Sequence, residues 1–272
     1  MANTFIAVEG PQDVELIAAV LKPRGFKKKV HEDDLPERFG KRLIRKDYPI
    51  DGDLHARVPN PMFMTDGSNW VAIQSAGGAT LELITLVSRV LNALKSFPGA
   101  LDAIGIVRDT DELSAPEQFA HLRTELSSRL NREPEEFANY ELQLPMSVNE
   151  NIIDGKPNFG IYMLPDNEHE GTLENLVLEC GECIYPQLVN RSRDFVDDVR
   201  ELAELNSKDK SQVKKPFGKE KAIIAAAVSI LKPGMSLAVS LDQNRWFSEE
   251  SLNLPSMKKL IQFLRNLCQL ES

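Results

Sequence analysis

Acidic side chains follow three of the four strands that the apolar runs of this sequence predict. They are Glu9 after the first strand, Asp109 and Asp111 after the third, and Asp166 and Glu168 after the fourth. Two carboxylates held about 4 Å apart repel each other by about 4 kcal/mol at an effective dielectric constant of about 20. A protein stabilises such a cluster by protonating one member, by pairing it with Lys or Arg, or by binding a divalent cation. Because an all-oxygen ligand set favours Mg²⁺ or Mn²⁺, the pattern predicts a metal site.

The Asp-Thr-Asp motif at residues 109–111 is the most informative of these groups. With 41 acids in 272 residues, chance alone gives roughly six acidic pairs with this spacing, so a solvated loop is the ordinary explanation. The motif, however, comes directly after the apolar run 103–107. An extended backbone there would aim Asp109 and Asp111 in the same direction, which favours a shared ligand.

Alternating strands and helices must position these acids. Apolar runs at 4–8, 70–80, 101–112 and 158–171 predict strands, and helical spacing follows each of them, at 13–21, 81–97, 115–130 and 172–184. This alternation is typical of an α/β protein with a parallel sheet covered by helices, in which reactive groups collect beyond the carboxyl ends of the strands.

Two segments depart from the alternation. Residues 22–67 are rich in Pro, Gly and charge, and predict an irregular insertion with short strands near 41–46 and 62–64. Residues 185–272 show mainly helical spacing. We therefore expect an α/β domain at 1–184, interrupted by the insertion, and a helical C-terminal extension at 185–272 packed on it.

Several motifs resemble the Toprim domain that topoisomerases, bacterial primases and the overcoming-lysogenization-defect (OLD) nucleases share. IAVEGPQDVELI (6–17) resembles its strand ending in Glu-Gly, and GIVRDTDE (105–112) its strand ending in Asp-x-Asp. Three further stretches look like a branch of small stand-alone bacterial Toprim-like proteins of unassigned function, related to the OLD nucleases: QSAGGAT (74–80), IYMLPDNEHEGTLENLV (161–177) and KAIIAAAVSILKPGMSLAVSLDQNRWF (221–247). The extra domains of primases and topoisomerases, and the ATPase module of many OLD nucleases, have no counterpart in this sequence.

The resemblance implies a Toprim-like (Rossmann-like) central parallel sheet flanked by helices, and one or two Mg²⁺ (or Mn²⁺) ions held by Glu9, Asp109 and Asp111. Such ions would polarise a phosphodiester. Glu9 would be a ligand or a general acid/base, and Glu174 a further catalytic acid, with Asp166 behind it as a ligand. A first-turn acid such as Glu174 is also common without a function.

Other residues carry two interpretations each. Asp13 could support the metal through water or only cap the first helix. The Gly77-Gly78 turn could present N–H groups to a phosphate at a helix start, or be a tight packing turn. Lys215 and Lys221, in the lysine-rich connector 206–221, could contact phosphate or belong to a solvated linker, and the same holds for FKKKV (26–30) and RFGKRLIRK (38–46). The histidines lack metal-site spacing and are expected at the surface.

The composition limits the classes of function. A net charge of −9 and a pI near 5.1 exclude general coating of nucleic acid but not a local basic groove. The longest apolar run, 222–231, is too short for a bilayer span of about 20 residues. Three cysteines favour the cytoplasm over a disulfide-stabilised protein.

The sequence therefore predicts a Mg²⁺-dependent phosphodiester enzyme acting on DNA or RNA, nuclease-like and suited to phage defence, with a separate ATPase as a candidate partner. The alternatives are a catalytically inactive Toprim-like binding or scaffold protein, and a metal-dependent phosphohydrolase of small nucleotides. Neutralising Glu9 or Asp109 is expected to leave the metal-free fold intact or more stable, since repulsion is relieved.

Overall fold

The computed structural model describes residues 2–46, 60–78, 80–132, 134, 137–152 and 154–270. Within them, seven strands form one open sheet in the order β2-β3-β4-β1-β5-β7-β6. The strands are β1 Asn3–Val8, β2 Lys27–Lys29, β3 Met62–Thr65, β4 Trp70–Ser75, β5 Ala103–Asp109, β6 Asn151–Ile152 and β7 Asn158–Leu164. The α/β class with a mostly parallel central sheet is confirmed.

The central strand β1 pairs in parallel with β4 on one side and with β5 on the other. The register places Val8 opposite both Ser75 and Val107, so the three strands end together. Strand β7 also runs parallel to β5, because Asn158 N–H bonds to Asp102 O and Thr110 N–H bonds to Leu164 O. The outer strands β2, β3 and β6 are antiparallel to their neighbours.

Helices flank the sheet in the part of the chain that the structure describes. They are α1 Pro11–Leu21, α2 Gly40–Leu43, α3 Thr80–Leu94, α4 Ala115–Arg132, α5 Leu173–Ile184, α6 Pro186–Arg200, α7 Gly218–Leu231, α8 Leu237–Gln243, α9 Glu249–Leu252 and α10 Pro255–Leu267. None of the helices in these described ranges combines the length and the apolar character needed to cross a bilayer.

The prediction of a strand near 41–46 is wrong, because this stretch begins with the short helix α2. Phe39, Gly40 and Leu43 are the buried residues there, and spacings of three and four residues bury one face of a helix rather than of a strand. The strand expected near 62–64 is confirmed as β3, whereas β2 was not predicted. Its three lysines lie on the edge of the sheet, where charged side chains are tolerated.

The chain forms two compact units that share no simple boundary in the sequence. Unit 1 contains residues 1–108, 119–162 and 262–272, and unit 2 contains residues 109–118 and 163–261. The predicted boundary between residues 184 and 185 stays a prediction. In unit 2 the fully buried Trp246 packs on Gly181, and its indole N–H donates to the Ser240 hydroxyl at 2.9 Å.

In unit 1 the end of α10 packs closely on the sheet because two strand positions are glycines. A Cβ at Gly105 would lie 2.5 Å from Leu267 Cδ2, and one at Gly160 would lie 2.9 Å from Phe263 Cε2 and 2.5 Å from Asn151 Oδ1. The Phe263 ring also contacts Tyr162, with ring centroids 5.3 Å apart. Any larger side chain at these glycines would have to displace the helix or its buried side chains.

Replacing Gly160 by Ala should lower the free energy of unfolding by about 1–3 kcal/mol, because the added methyl group overpacks the contact with Phe263. Urea denaturation followed by circular dichroism measures this change. Gly99→Ala is the matched control, since a Cβ there meets nothing within 4 Å, and it should change stability by less than about 0.5 kcal/mol. Equal stability of the two variants would contradict close packing at Gly160.

Candidate functional site

Glu9 lies directly after β1 in unit 1 and is paired with an arginine. Its Oε1 is 2.8 Å from Nε of Arg108, and only 21% of the Glu9 side chain and 10% of the Arg108 side chain are exposed. Arg108 also donates to the hydroxyl of Thr80, the first residue of α3. Arg108 therefore supplies a positive charge to Glu9. Arg108 was not among the site residues predicted from the sequence, although a basic residue inside a buried strand indicates an acidic partner.

The two glycines after β4 form the turn that leads to α3. Gly77 and Gly78 have φ values of +95° and +141°, and nothing lies within 4 Å of a Cβ built at either position. The Gly77 N–H donates to the carbonyl oxygen of Glu9 at 3.0 Å. The Gly77 N–H group, a predicted phosphate donor, is therefore already used within the protein. A phosphate contact at Gly78 stays a prediction.

Asp13 caps the first helix. Its Oδ2 accepts the N–H of Gly10, the residue before α1, at 2.7 Å, and Asp13 is 4% exposed. This contact is the capping alternative of the two interpretations that the sequence allowed. A role of Asp13 toward a metal stays a prediction.

The Asp-Thr-Asp motif is held in unit 2 by main-chain and side-chain hydrogen bonds. Asp109 Oδ1 accepts the N–H of Leu173, the first residue of α5, at 2.8 Å. The buried Thr110 hydroxyl lies 3.0 to 3.1 Å from three carbonyl oxygens, those of Leu164, His169 and Gly171. These bonds fix the motif to the loop before α5.

The expectation that an extended backbone aims Asp109 and Asp111 the same way is wrong. Strand β5 ends at Asp109, and Asp111 has a left-handed φ of +53° and is exposed. Asp111 instead exchanges two main-chain hydrogen bonds with Gly171, at 2.9 and 3.0 Å. The turn is stabilised by this pairing, which a sequence pattern does not reveal.

Glu174 is the most unusual carboxylate of the structure. It lies in the first turn of α5, is 7% exposed, and forms no hydrogen bond or ion pair with any described residue. Its carboxylate oxygens are not among the fully buried side-chain atoms without a partner, so they reach solvent and are open to a cation. Since Asp109 contacts the residue next to Glu174, two carboxylates belong to the same end of α5. Their oxygen ligands fit Mg²⁺ or Mn²⁺.

A second acidic group lies in the loop after β7. Asp166, Glu168 and His169 form the one group of three potential ligands, among the described residues, whose ligand atoms lie within 4.8 Å of one another. Lys259 Nζ is 2.7 Å from Glu168 and 3.6 Å from Asp166, and therefore already supplies a compensating charge. A metal held by Asp166 stays a prediction, and would have to compete with this lysine.

The hydrogen bonds around Asp166 also shift the pKa values of Asp166 and His169. Burial alone would raise the pKa of Asp166, but hydrogen bonds from the backbone and ring of His169 and from the Glu168 N–H, together with Lys259, lower it. The same contact, 2.8 Å from Asp166 Oδ2 to His169 Nδ1, raises the pKa of His169. The exposed His169 is at the surface, as expected, but it is paired there.

The remaining phosphate candidates are both exposed and lie in unit 2. Lys215 precedes α7 and Lys221 lies in its first turn. Neither has an ion pair with an acid in the described part of the chain. The structure thus brings Asp109 to the start of α5 beside Glu174, joins Glu9 to Arg108, and joins Asp166 to His169.

The fold and the acids at its strand ends define an α/β protein with a candidate metal centre. The chain belongs to the family described as "Protein of unknown function (DUF3226)", whose model matches residues 3–269. It is also similar to the crystal structure of hypothetical protein PH0156 from Pyrococcus horikoshii OT3, with 16% identity, a TM-score of 0.56, and coverage of 96% of this chain and 98% of that chain. At this identity the likeness concerns the fold alone. No curated protein matches the chain.

Replacing Glu9 by Gln should lower the free energy of unfolding in metal-free buffer by about 1–3 kcal/mol, because the largely buried Arg108 loses its carboxylate. This reverses the gain in stability that the sequence suggested. Urea denaturation in EDTA measures it. The control is Glu37→Gln, whose pair with Lys41 is 75% exposed on the glutamate side and should contribute less than about 1 kcal/mol. A Glu9→Gln protein as stable as the wild type would show that the pair contributes nothing.

The pKa of His169 should lie above its ordinary value and should fall when Asp166 is replaced by Asn. Because the folded-state pKa is raised, the stabilising contact is complete below the ordinary histidine pKa of about 6.5 and is lost as the pH rises through the folded-state value. An NMR titration of the ring protons measures this. Glu170→Gln, which changes a neighbouring exposed acid, is the control; an equal effect of both substitutions would argue against the Asp166 contact as the cause.

Proposed function

We propose that this protein is a Toprim-like nuclease that cleaves phosphodiester bonds in DNA or RNA with Mg²⁺ or Mn²⁺. The observation that carries the proposal is Glu174, which is 7% exposed and whose solvent-accessible carboxylate has no partner among the described residues. Its position beside Asp109 at the start of α5 supports a cation there. The Glu-Gly and Asp-x-Asp motifs support the choice of phosphodiester chemistry.

The residues of unit 2 that we propose as ligands are Asp109, Asp111 and Glu174. Their ligand atoms do not all lie within 4.8 Å of one another in the structure, so these side chains would have to move closer for one ion to contact all three. An ion bound there would polarise a phosphodiester and stabilise the attacking and leaving oxygens. The buried Thr110 hydroxyl and the paired backbone of Asp111 hold the main chain of the motif in place. Glu9 is proposed as a ligand or a general acid/base of the same reaction, as the resemblance implies.

An inactive Toprim-like binding or scaffold protein is the second candidate, and the pairing of Glu9 with Arg108 favours it. A carboxylate that an arginine already compensates needs no metal for its charge to be stable. The two candidates therefore differ in whether divalent ions bind at all. For either candidate we propose a cytoplasmic location, where the three free cysteines would stay reduced.

Glu174→Gln and Asp109→Asn should reduce Mn²⁺-supported cleavage by roughly 100-fold or more, because each removes a proposed ligand. Labelled DNA and RNA oligonucleotides are the substrates, and small nucleotides are tested beside them. The control is Glu182→Gln, a half-exposed glutamate at the other end of the same helix, which should cleave like the wild type.

Melting temperature gives a second readout. In EDTA, Glu174→Gln should be as stable as the wild type to within about 0.5 kcal/mol, since no described partner loses a contact, and it should lose the stabilisation that Mn²⁺ gives the wild type. A wild type that neither cleaves nor responds to Mn²⁺ would leave the scaffold candidate. Cleavage of small nucleotides alone would assign a phosphohydrolase.

A further inference from the structure

The first part of the insertion between β1 and β4 concentrates positive charge in an acidic protein. Residues 22–46 contain ten Lys and Arg against four Asp and Glu, in a chain with a net charge of −9, whereas residues 47–67 contain one Arg and four Asp. A local excess of positive charge costs free energy unless acids or a bound anion compensate it. Within the described residues, ion pairs with acids of the segment involve lysines and not Arg38, Arg42 or Arg45.

Three lysines of residues 22–46 are paired with acids of the same segment, and Lys28 is paired with Glu15 of α1. Lys46 lies 2.6 Å from Glu32, Lys41 lies 3.0 Å from Glu37, and Lys29 lies 3.9 Å from Asp34. In contrast, no ion pair joins the arginines Arg38, Arg42 and Arg45, or Arg89 of α3, to any acid in the described ranges. Three of the four acids at 22–46 are thus paired with lysines, and these guanidinium groups have no carboxylate partner in the part of the chain that the structure describes.

Two of these arginines lie on a single aromatic ring. The Cζ atoms of Arg38 and Arg42 are 5.5 and 5.2 Å from the centroid of the half-buried Phe97, and both arginines are exposed. The ring attracts each cation, but it cannot neutralise either charge. Burial first, and then the charge of Arg45, lower the pKa of Arg89.

We propose that Arg38 and Arg42, which lie on Phe97, form an arginine face that binds the phosphate backbone of a nucleic acid. A guanidinium stacked on a ring keeps its N–H edge available, and this edge matches two phosphate oxygens. A polyanion would relieve the repulsion within the face. The identification of the polyanion as nucleic acid rests on the proposed nuclease function. A nuclease with an acidic site needs a cationic contact to the phosphate backbone, and the arginine face would provide it.

The test measures binding of the full chain to labelled single-stranded DNA and RNA by fluorescence anisotropy in EDTA at several salt concentrations. Arg38→Gln with Arg42→Gln should weaken binding at low salt by about tenfold or more. Each lost phosphate contact should reduce the magnitude of the salt slope by about 0.7–0.9. Arg38→Lys with Arg42→Lys keeps the charges and should give an intermediate loss of affinity, because lysine lacks the planar guanidinium that stacks on the ring and donates to two phosphate oxygens.

The matched control is Arg193→Gln with Arg200→Gln on α6. It removes the same two charges, but from arginines that are paired with acids, and it should leave both affinity and salt slope unchanged. Melting temperature establishes that both double variants are folded, since all four substituted side chains are exposed. Wild-type affinity and slope in the Arg38/Arg42 variant would overturn the proposal.

Two further outcomes would also overturn it. One is a wild type that binds neither polymer at low salt, and the other is binding to phosphatidylserine vesicles instead of oligonucleotides, which would assign the face to a membrane surface. Because these measurements contain no divalent ion, they are separate from the test of cleavage. A wild type that binds through the face but never cleaves would disprove the nuclease alone, and cleavage without binding by the face would disprove the face alone.

Discussion

The parallel pairing of β1 with β4 and β5 is the constraint on which the rest of unit 1 depends. The register makes the three strands end together, so the residues that follow each strand are brought to one edge of the sheet. Glu9, the Gly77 turn and Arg108 meet there, and Thr80 begins α3 beside them. The main-chain hydrogen bonds of a buried sheet are hard to break, because an unpaired N–H or C=O group inside the protein is costly. The positions of these charged groups are therefore stable without any ligand.

Glu9 and Glu174, the two glutamates proposed for the reaction, have opposite surroundings. Glu9 has an arginine 2.8 Å away, whereas Glu174 is 7% exposed and has no such partner in the described ranges. The charge of Glu9 is therefore compensated within the protein, and that of Glu174 is left to solvent or to a cation. Asp109 accepts the N–H of Leu173 at the start of α5.

Charge is distributed in this protein by residue type as well as by position. Three lysines of residues 22–46 pair with acids of the same segment, and Arg38 and Arg42 lie on Phe97. Acids alone would repel a polyanion, so the nucleic-acid binding proposed above is assigned to these arginines.

The sequence by itself determined the α/β class, the strands that carry Glu9 and the Asp-x-Asp motif, and the helices that follow them, because apolar periodicity reports which residues a strand or helix buries. It failed at residues 41–46, because the helical spacing of the buried residues Phe39, Gly40 and Leu43 was hidden among charges. Only the tertiary structure decided that Asp111 leaves the strand, that Arg108 pairs with Glu9, and that Glu174 has no described partner. These are contacts between residues far apart in the chain, or the absence of such contacts, and no local pattern encodes them. The partners of a charged side chain are set by packing, and so is its chemistry.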